Sequence, residues 1–449
     1  MIRGRIDLIT LGCSKNLVDS ERLMGQLAAC GYKMHHDPED PKGEIVIVNT
    51  CGFIGDAKEE SINTILGLTE LKKRRKIGQI FVMGCLSQRY RQELIDEIPE
   101  IDRIYGKYDW KQILSDLGHQ WNDELRAQRL QTSPRHYAYV KISEGCNRMC
   151  AYCAIPLITG RYKSRAIEDI LEEVRQLVAK GVREIQLIAQ DLTGYGYDRY
   201  GRYNIAELVE KIAQTPGVEW LRLHYAYPNH FPMDLLPVMA RYPNVCKYLD
   251  IALQHASNNV LDRMLRRITR EETAELLAEI RRQVPGIHLR TTMMVGFPGE
   301  TEQDFAELLD FVREQRFERL GAFAYCEEEG TYAAQHYTDD IPAEVKQRRL
   351  DDLMSLQQEI SNSVQESKVG QTFRVVIDRL DGEYYVGRTE FDSPEVDPEV
   401  LIPIETLPLE PTAVDETLES HIALEIGHFY SVKIDRAEPY ELYGRIIGD

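Results

Sequence analysis

Cys146-Asn147-Arg148-Met149-Cys150-Ala151-Tyr152-Cys153 stands just behind a short apolar run, Tyr139–Ser143, in a chain of 449 residues. Three thiols spaced C-x-x-x-C-x-x-C in one tight loop can ligate three corners of a [4Fe–4S] cluster and leave the fourth iron open. A zinc knuckle is the competing use of such thiols, but it needs a fourth Cys or His to close the site. The nearest histidines, His119 and His136, lie ahead of the run. C-terminal to the loop, β-rich runs alternate with amphipathic stretches. Strands are expected at Tyr139–Ser143, Glu184–Ala189, Trp220–His224, Tyr248–Leu253, His288–Val295 and Leu320–Tyr325. Helices are expected between them, at Glu168–Lys180, Ile205–Gln214, Thr273–Arg282 and Glu302–Glu314. Six strand–helix units predict a full or partial (β/α)6 barrel, with chemistry at the carboxyl ends of its strands.

Upstream, residues 1–120 repeat one pattern three times. Ile6–Leu11, Ile45–Val48 and Ile80–Met83 each lead into a small polar or glycine-containing turn and then a helix. That alternation predicts a parallel sheet of βαβ units. Cys13, Cys51 and Cys85 each fall just past a strand end, where open α/β sheets bind ligands. Buried inert thiols are the plain alternative, since free Cys is a common core residue. Equivalent placement in three units, each beside Gly or a small polar residue, favours a second cluster site. Cys30, Cys246 and Cys326 lack such partners and read as structural.

Residues 121–135 are polar and non-periodic and read as a linker, and a long helix, Ala343–Glu366, closes the barrel. Beyond Gly370, short β-rich runs, Ile422–Leu424 among them, predict a small all-β module. The expected division is 1–120, 132–365 and 366–449, an α/β protein overall.

Lys and Arg number 54 and Asp and Glu 73, a formal net charge of −19. This argues against indiscriminate coating of nucleic acid. No apolar run approaches the about 20 residues that span a bilayer, and the short apolar start does not read as a secretory signal. A cytoplasmic protein without membrane contact is expected, and in a reducing compartment nine cysteines point to metal chemistry rather than disulfides. The charge is unevenly placed: residues 1–140 are balanced, while residues 366–449 carry a net −12.

Residues 139–165, with the aromatic Tyr152 before the last Cys, resemble the cluster loop of radical S-adenosylmethionine enzymes. The resemblance implies that the open iron chelates S-adenosylmethionine and that one electron cleaves it to a 5′-deoxyadenosyl radical. It places Gln190 and Asp191 where that family grips the amino group. It likens Gly296-Phe297-Pro298-Gly299-Glu300-Thr301 to the family's glycine-rich adenosine segment, whose small residues would let a ligand approach the backbone. Gly296, Pro298, Gly299 and Glu300 are its candidate contacts, although Gly-Phe-Pro-Gly-Glu alone is a weak signal.

The order of three-Cys domain, barrel and β module resembles the methylthiotransferases over essentially the whole chain. That family implies two [4Fe–4S] clusters, with S-adenosylmethionine as methyl donor and radical source, an external low-potential electron donor and a C-terminal TRAM module. Leu11–Arg22 (LGCSKNLVDSER), Asn49–Ile54 (NTCGFI), Pro134–Tyr139 (PRHYAY), Leu223-His224-Tyr225 and Asp250–Ser257 (DIALQHAS) look closest to one branch. That branch methylthiolates an aspartate β-carbon in the twelfth protein of the small ribosomal subunit. The alternative within the family is adenosine in tRNA. Phosphate recognition calls for Lys and Arg, whereas the acidic run Glu390–Glu399 suggests a surface that repels tRNA and suits a basic ribosomal protein. No tRNA partner is therefore expected. Outside this family, a non-catalytic iron–sulfur electron carrier explains the thiols but not the barrel. The basic run Lys72–Lys76 reads as a solvated helix end, and loop 194–203 as a cover for the site or a plain polar loop. His224 and His255 read as structural or substrate-lining.

Overall fold

The computed structural model describes residues 1–407, 409–411 and 419–447. The N-terminal unit is a five-stranded, all-parallel sheet, whose order in chain segments is Lys33–His36, Ile2–Thr10, Gly43–Thr50, Gln79–Gly84 and Arg103–Ile104. Alternate residues of Gly43–Thr50 leave opposite faces. Ile45 and Ile47 join Ile6, Leu23 and Phe81 in one core, and Val46 and Val48 join Ile65 and Leu68 in another. Burial on both faces is why the central strand reads as one apolar run.

Six parallel strands in chain order form the central partial barrel: Tyr137–Lys141, Glu184–Ile188, Trp220–Ala226, Val245–Ile251, His288–Val295 and Arg319–Ala324. One strand face packs under the surrounding helices through Val140, Leu187, Leu223, Leu249 and Leu289. The other parity faces the lumen and is polar, with Lys141, Gln186, His224, Asp250 and Arg290. Two other parts of the chain occupy this lumen. Helix Ser14–Ala29 sets Val18 against Tyr137, Tyr139 and Ile188. From the amino ends of the strands, segment 388–397 crosses beneath them.

That segment corrects the expected acidic surface. Asp392 is buried and bonded to Arg319 at 2.5 Å. Asp397 lies 3.5 Å from Arg290, Glu390 accepts from the Lys247 N–H, and Glu395 accepts from the Tyr137 hydroxyl. Within this strap Asp392 and Asp397 meet buried or half-buried arginines and Glu390 is half-buried, so Glu395 is the carboxylate left exposed. The C-terminal module is a closed barrel of Thr372–Asp381, Tyr384–Thr389, Glu399–Pro403, Phe429–Glu438 and Glu441–Ile446. Its buried Arg388 spans Glu184 (2.8 Å) and Asp378 (2.6 Å), fixing module to barrel. Ile422–Leu424 is not a strand. Residues 408, 412–418 and 448–449 of the expected module lie outside the described residues.

The linker reading also changes. Gln26 and Asn122 exchange hydrogen bonds of 2.9 and 3.0 Å, and Thr132 donates to Glu21. Arg129 is 4% exposed and pairs with Glu21 and Glu173. Glu173 is fully buried and also meets Arg22 and Arg165, each at 2.7 Å. Burial opposes its charge, but the three guanidinium groups hold its carboxyl down at about 2. The stabilisation is complete above the ordinary value of 4.5 and is lost as pH falls toward 2. Glu173→Ala leaves buried cations uncompensated and is expected to cost about 3–5 kcal/mol at pH 7. In urea denaturation the gap from the parent protein should narrow at pH 3, where the parent is losing the same contribution.

Candidate active site

The Cys146–Cys153 loop follows the first barrel strand and is pinned by backbone: Ala151 N–H donates to Met264 O at 2.9 Å, and Ala333 N–H to Ala151 O at 2.8 Å. Cys146 Sγ accepts from the Arg148 N–H at 3.4 Å, and Cys150 Sγ from Arg266 Nη1 at 3.3 Å. Burial, then the nearby Asp191 charge, pushes the Cys146 thiol up to about 12. Burial and Cys150 raise Cys153 further. The free Cys146 and Cys153 thiols hold their protons, so their binding of iron as thiolates must release them.

The N-terminal trio converges through its turns. Gly12 has φ +91°, and a Cβ there would stand 2.7 Å from Cys51 Cβ. Glycine is thus what lets the Cys13 and Cys51 turns meet. Cys13 caps helix Ser14–Ala29, and Cys85 opens the helix Cys85–Arg89. Burial again raises Cys51, to about 11, and Cys85. Cys13 differs: burial opposes its thiolate, but the Lys15 and Lys107 ammonium groups outweigh it and lower the pKa. Its side chain keeps a solvent-accessible surface despite dense surroundings, as expected of a group lining a recess.

Among the described residues, no three His, Cys, Asp or Glu side chains gather tightly enough to hold a single metal ion. A cluster makes a different demand, since each thiolate binds its own iron. Two trios of thiols, each without a fourth protein donor among the described residues, fit that demand. They also adjoin: Cys85 packs on Ala154 and Ile158, directly past Cys153. A buried ionic chain runs between them. Lys107 lies 3.7 Å from Cys85 Sγ and 3.5 Å from Asp19, and Lys141 bridges Asp19 and Glu144.

Gln190, at the end of the second barrel strand, donates to Glu144 at 3.4 Å, and its Oε1 is buried with no partner. An orphan acceptor there suits a ligand ammonium group. Asp191 is fully committed: Arg148 Nε meets one oxygen at 2.7 Å, and Thr193 and Gly194 donate to the other. Tyr152 is half-buried, its hydroxyl 3.2 Å from Arg266. In the glycine-rich turn the protein itself packs where side chains would project. Beside Gly296 (φ +73°) an added Cβ would meet Lys346 at 2.4 Å, and beside Gly299 it would meet Arg263 at 2.6 Å. Packing of helix Ala343–Glu366 and of Arg263, whose Nε bonds Pro298 O at 2.8 Å, takes the space those glycines free. Glu300 secures the turn from inside, accepting from Gly296 N–H at 2.7 Å and pairing with Arg349 at 3.0 Å.

His224 bonds Gln186 at 2.7 Å, and His255 accepts from Ser257 N–H while its Nε2 lies 3.6 Å from Glu300. Cys246 is buried, whereas Cys326, expected to be structural, is exposed. Loop 194–203 helps enclose a cavity of about 260 Å³ with Asn147, Arg148 and Asp191, beside the cluster loop. Lys72 bonds Asp102 while Arg74–Lys76 face solvent, as read from sequence. Lys15, Lys107, Arg148 and Arg266 were not singled out. Only the lysine inside the apolar run at 141 hinted that the lumen holds charge.

The Radical SAM superfamily model matches residues 140–312, Uncharacterized protein family UPF0004 matches 5–106, and the TRAM domain matches 369–447. The chain is 60% identical over 447 residues to the ribosomal protein uS12 methylthiotransferase RimO of Parabacteroides distasonis, covering all of both chains. It is 58% identical to the protein of that name from Bacteroides thetaiotaomicron, over all of this chain and 99% of the relative. The solved radical S-adenosylmethionine methyltransferase TsrM from Kitasatospora setae, with cobalamin and a [4Fe–4S] cluster, superposes with a TM-score of 0.53. It is 14% identical, over 74% of this chain and 77% of that one, and so speaks to fold alone. No helix among the described residues is long and apolar enough to cross a membrane. With three-fifths of its residues shared along the entire length of such relatives, the chain belongs to the RimO methylthiotransferase family of radical S-adenosylmethionine enzymes.

Proposed function

We propose that the protein attaches a methylthio group to the β-carbon of an aspartate in ribosomal protein uS12. The observation carrying this is the adjoining pair of cysteine trios, one at the barrel mouth and one at the edge of the N-terminal sheet, in a chain so close to uS12 methylthiotransferases. On this reading Cys146, Cys150 and Cys153 hold the cluster that, with S-adenosylmethionine, supplies the hydrogen-abstracting radical, and Cys13, Cys51 and Cys85 hold the one supplying methylated sulfur. Gln190 offers its free oxygen to the ammonium group of S-adenosylmethionine. Asp191, through Arg148, positions the cluster loop, and Tyr152 and the Gly296, Pro298, Gly299 and Glu300 turn form the wall beside it. The buried chain from Lys107 to Glu144 keeps water from the space between the trios. An external low-potential donor provides the electron, and the enzyme works in the cytoplasm, where ribosomes are assembled. The functional division is 1–120, 132–365 and 366–449.

Basic ribosomal protein rather than tRNA remains the favoured partner, on a different footing from the strap's charge. Every arginine of the module is already paired: Arg374 with Glu219, Arg379 with Glu399, Arg388 with Glu184, Arg436 with Glu438 and Arg445 with Asp435. Asp381, Glu383, Glu405 and Glu425 are exposed. Such a module offers phosphates little. Mass spectrometry of uS12 and of bulk tRNA, with and without the enzyme, tests this. A methylthio gain on uS12 is expected; a gain on tRNA alone overturns the proposal.

A further inference from the structure

Lys15 sits two residues past Cys13, on the first turn of helix Ser14–Ala29, and reaches across to the barrel mouth. Its Nζ rests 3.4 Å from the centre of the Tyr225 ring. Tyr225 closes the third barrel strand with φ +65°, a conformation that bulky residues rarely adopt, and its carbonyl accepts the Leu192 N–H at 3.0 Å. Strain of this kind persists where surrounding structure enforces it and gathers at functional sites. Here it orients the ring that carries Lys15.

The other cations nearby are committed to carboxylates. Lys107 and Lys141 meet Asp19, Arg148 meets Asp191, and Arg290 meets Asp250 and Asp397. Lys15 forms no ion pair among the described residues and is half-buried. A partly desolvated ammonium group held on an aromatic face is well placed to receive an anion. We infer that Lys15 is a specificity-determining residue that binds the carboxylate of the substrate aspartate. The inference rests on the proposed reaction at an aspartate β-carbon. That carbon is bonded directly to the carboxyl carbon, so a carboxylate on Lys15 places the reacting carbon beside the Cys13 turn, at the barrel mouth. An asparagine offers this cation only a neutral carbonyl acceptor, a weaker partner than a carboxylate.

The test uses full-length enzyme, reconstituted with iron and sulfide, and two uS12-derived peptides that carry Asp or Asn at the target position. The parent enzyme should methylthiolate the Asp peptide at least tenfold faster than the Asn peptide at limiting concentration. Lys15→Met and Lys15→Gln should raise KM for the Asp peptide at least tenfold and bring the two peptides close to parity. Lys15→Arg should restore most of the preference. Iron content in all three variants should match the parent. A Lys15→Gln enzyme that keeps the parental Asp-over-Asn ratio overturns the inference. Loss of iron without rescue by arginine also overturns it, by showing that Lys15 only supports the Cys13 turn. A parent enzyme inactive on uS12 and its peptides is a separate result: it removes the proposed function first, and this inference with it.

Discussion

Cys146→Ala protein, reconstituted anaerobically, should release at least 100-fold less 5′-deoxyadenosine from S-adenosylmethionine under dithionite than the parent, and should hold about half the iron. The expectation follows from ligand number. The loop offers three thiols, and among the described residues no fourth protein donor gathers with them to take over a vacant corner. Neighbouring groups reinforce the loss. Arg266 Nη1 lies 3.3 Å from Cys150 and 3.2 Å from Tyr152, an arrangement that places a buried cation against the bound thiolates. Without them that guanidinium is left to the Tyr152 hydroxyl, the Tyr227 ring and the Ala252 carbonyl. Undiminished reductive cleavage by the variant would show that the radical site lies elsewhere. An enzyme that had been only an electron carrier would make no 5′-deoxyadenosine even in its parent form.

Replacing Cys13, Cys51 and Cys85 together by Ala should have the opposite signature. Iron should again fall by about half, and methylthio product should disappear, yet 5′-deoxyadenosine should still form. Cys85 packs on Ala154 and Ile158 beside the other loop, and no cysteine of either trio sits within the other's loop. Alanine is tolerable at Cys51 and Cys85, which are small buried positions, and Cys13 is exposed. Separate measurement of iron, nucleoside and methylthio-peptide therefore divides the chemistry into its two halves. Unchanged iron in the triple variant would remove the second cluster.

The parts of this architecture legible in sequence are those with strong local period. The long helix Ala343–Glu366 and the strand His288–Val295 fall at their expected ends. The edge strands Lys33–His36 and Arg103–Ile104 were missed because KMHH and RI carry no apolar alternation and take their conformation from the sheet beside them. The six thiols could be read because Cys at strand ends is a chemical signal in itself. What surrounds them could not be read. Residues 121–135 look like a linker, yet Arg129 lies buried in ion pairs with Glu21 and Glu173, more than 40 residues away in one case and over 100 in the other. Glu390–Glu399 looks like a displayed acidic run until Arg290 and Arg319, distant in sequence, come to meet it. Gly296 and Gly299 give no sign in sequence that Lys346 and Arg263 stand where their Cβ atoms would be. In each case composition announced the residue type, and only tertiary packing decided its partner.

The buried Arg388 clamp has a geometric consequence for substrate delivery. Because it fixes the β module to the amino ends of the strands, the module cannot swing toward the opposite end, where the thiols lie. An eight-residue strand such as His288–Val295 spans about 25 Å. A client protein gripped by the module must therefore carry its modified side chain on a slender projection of about that reach. The enzyme would then measure its target with a fixed ruler, accepting a protruding loop tip and passing over the same residue on a flat surface.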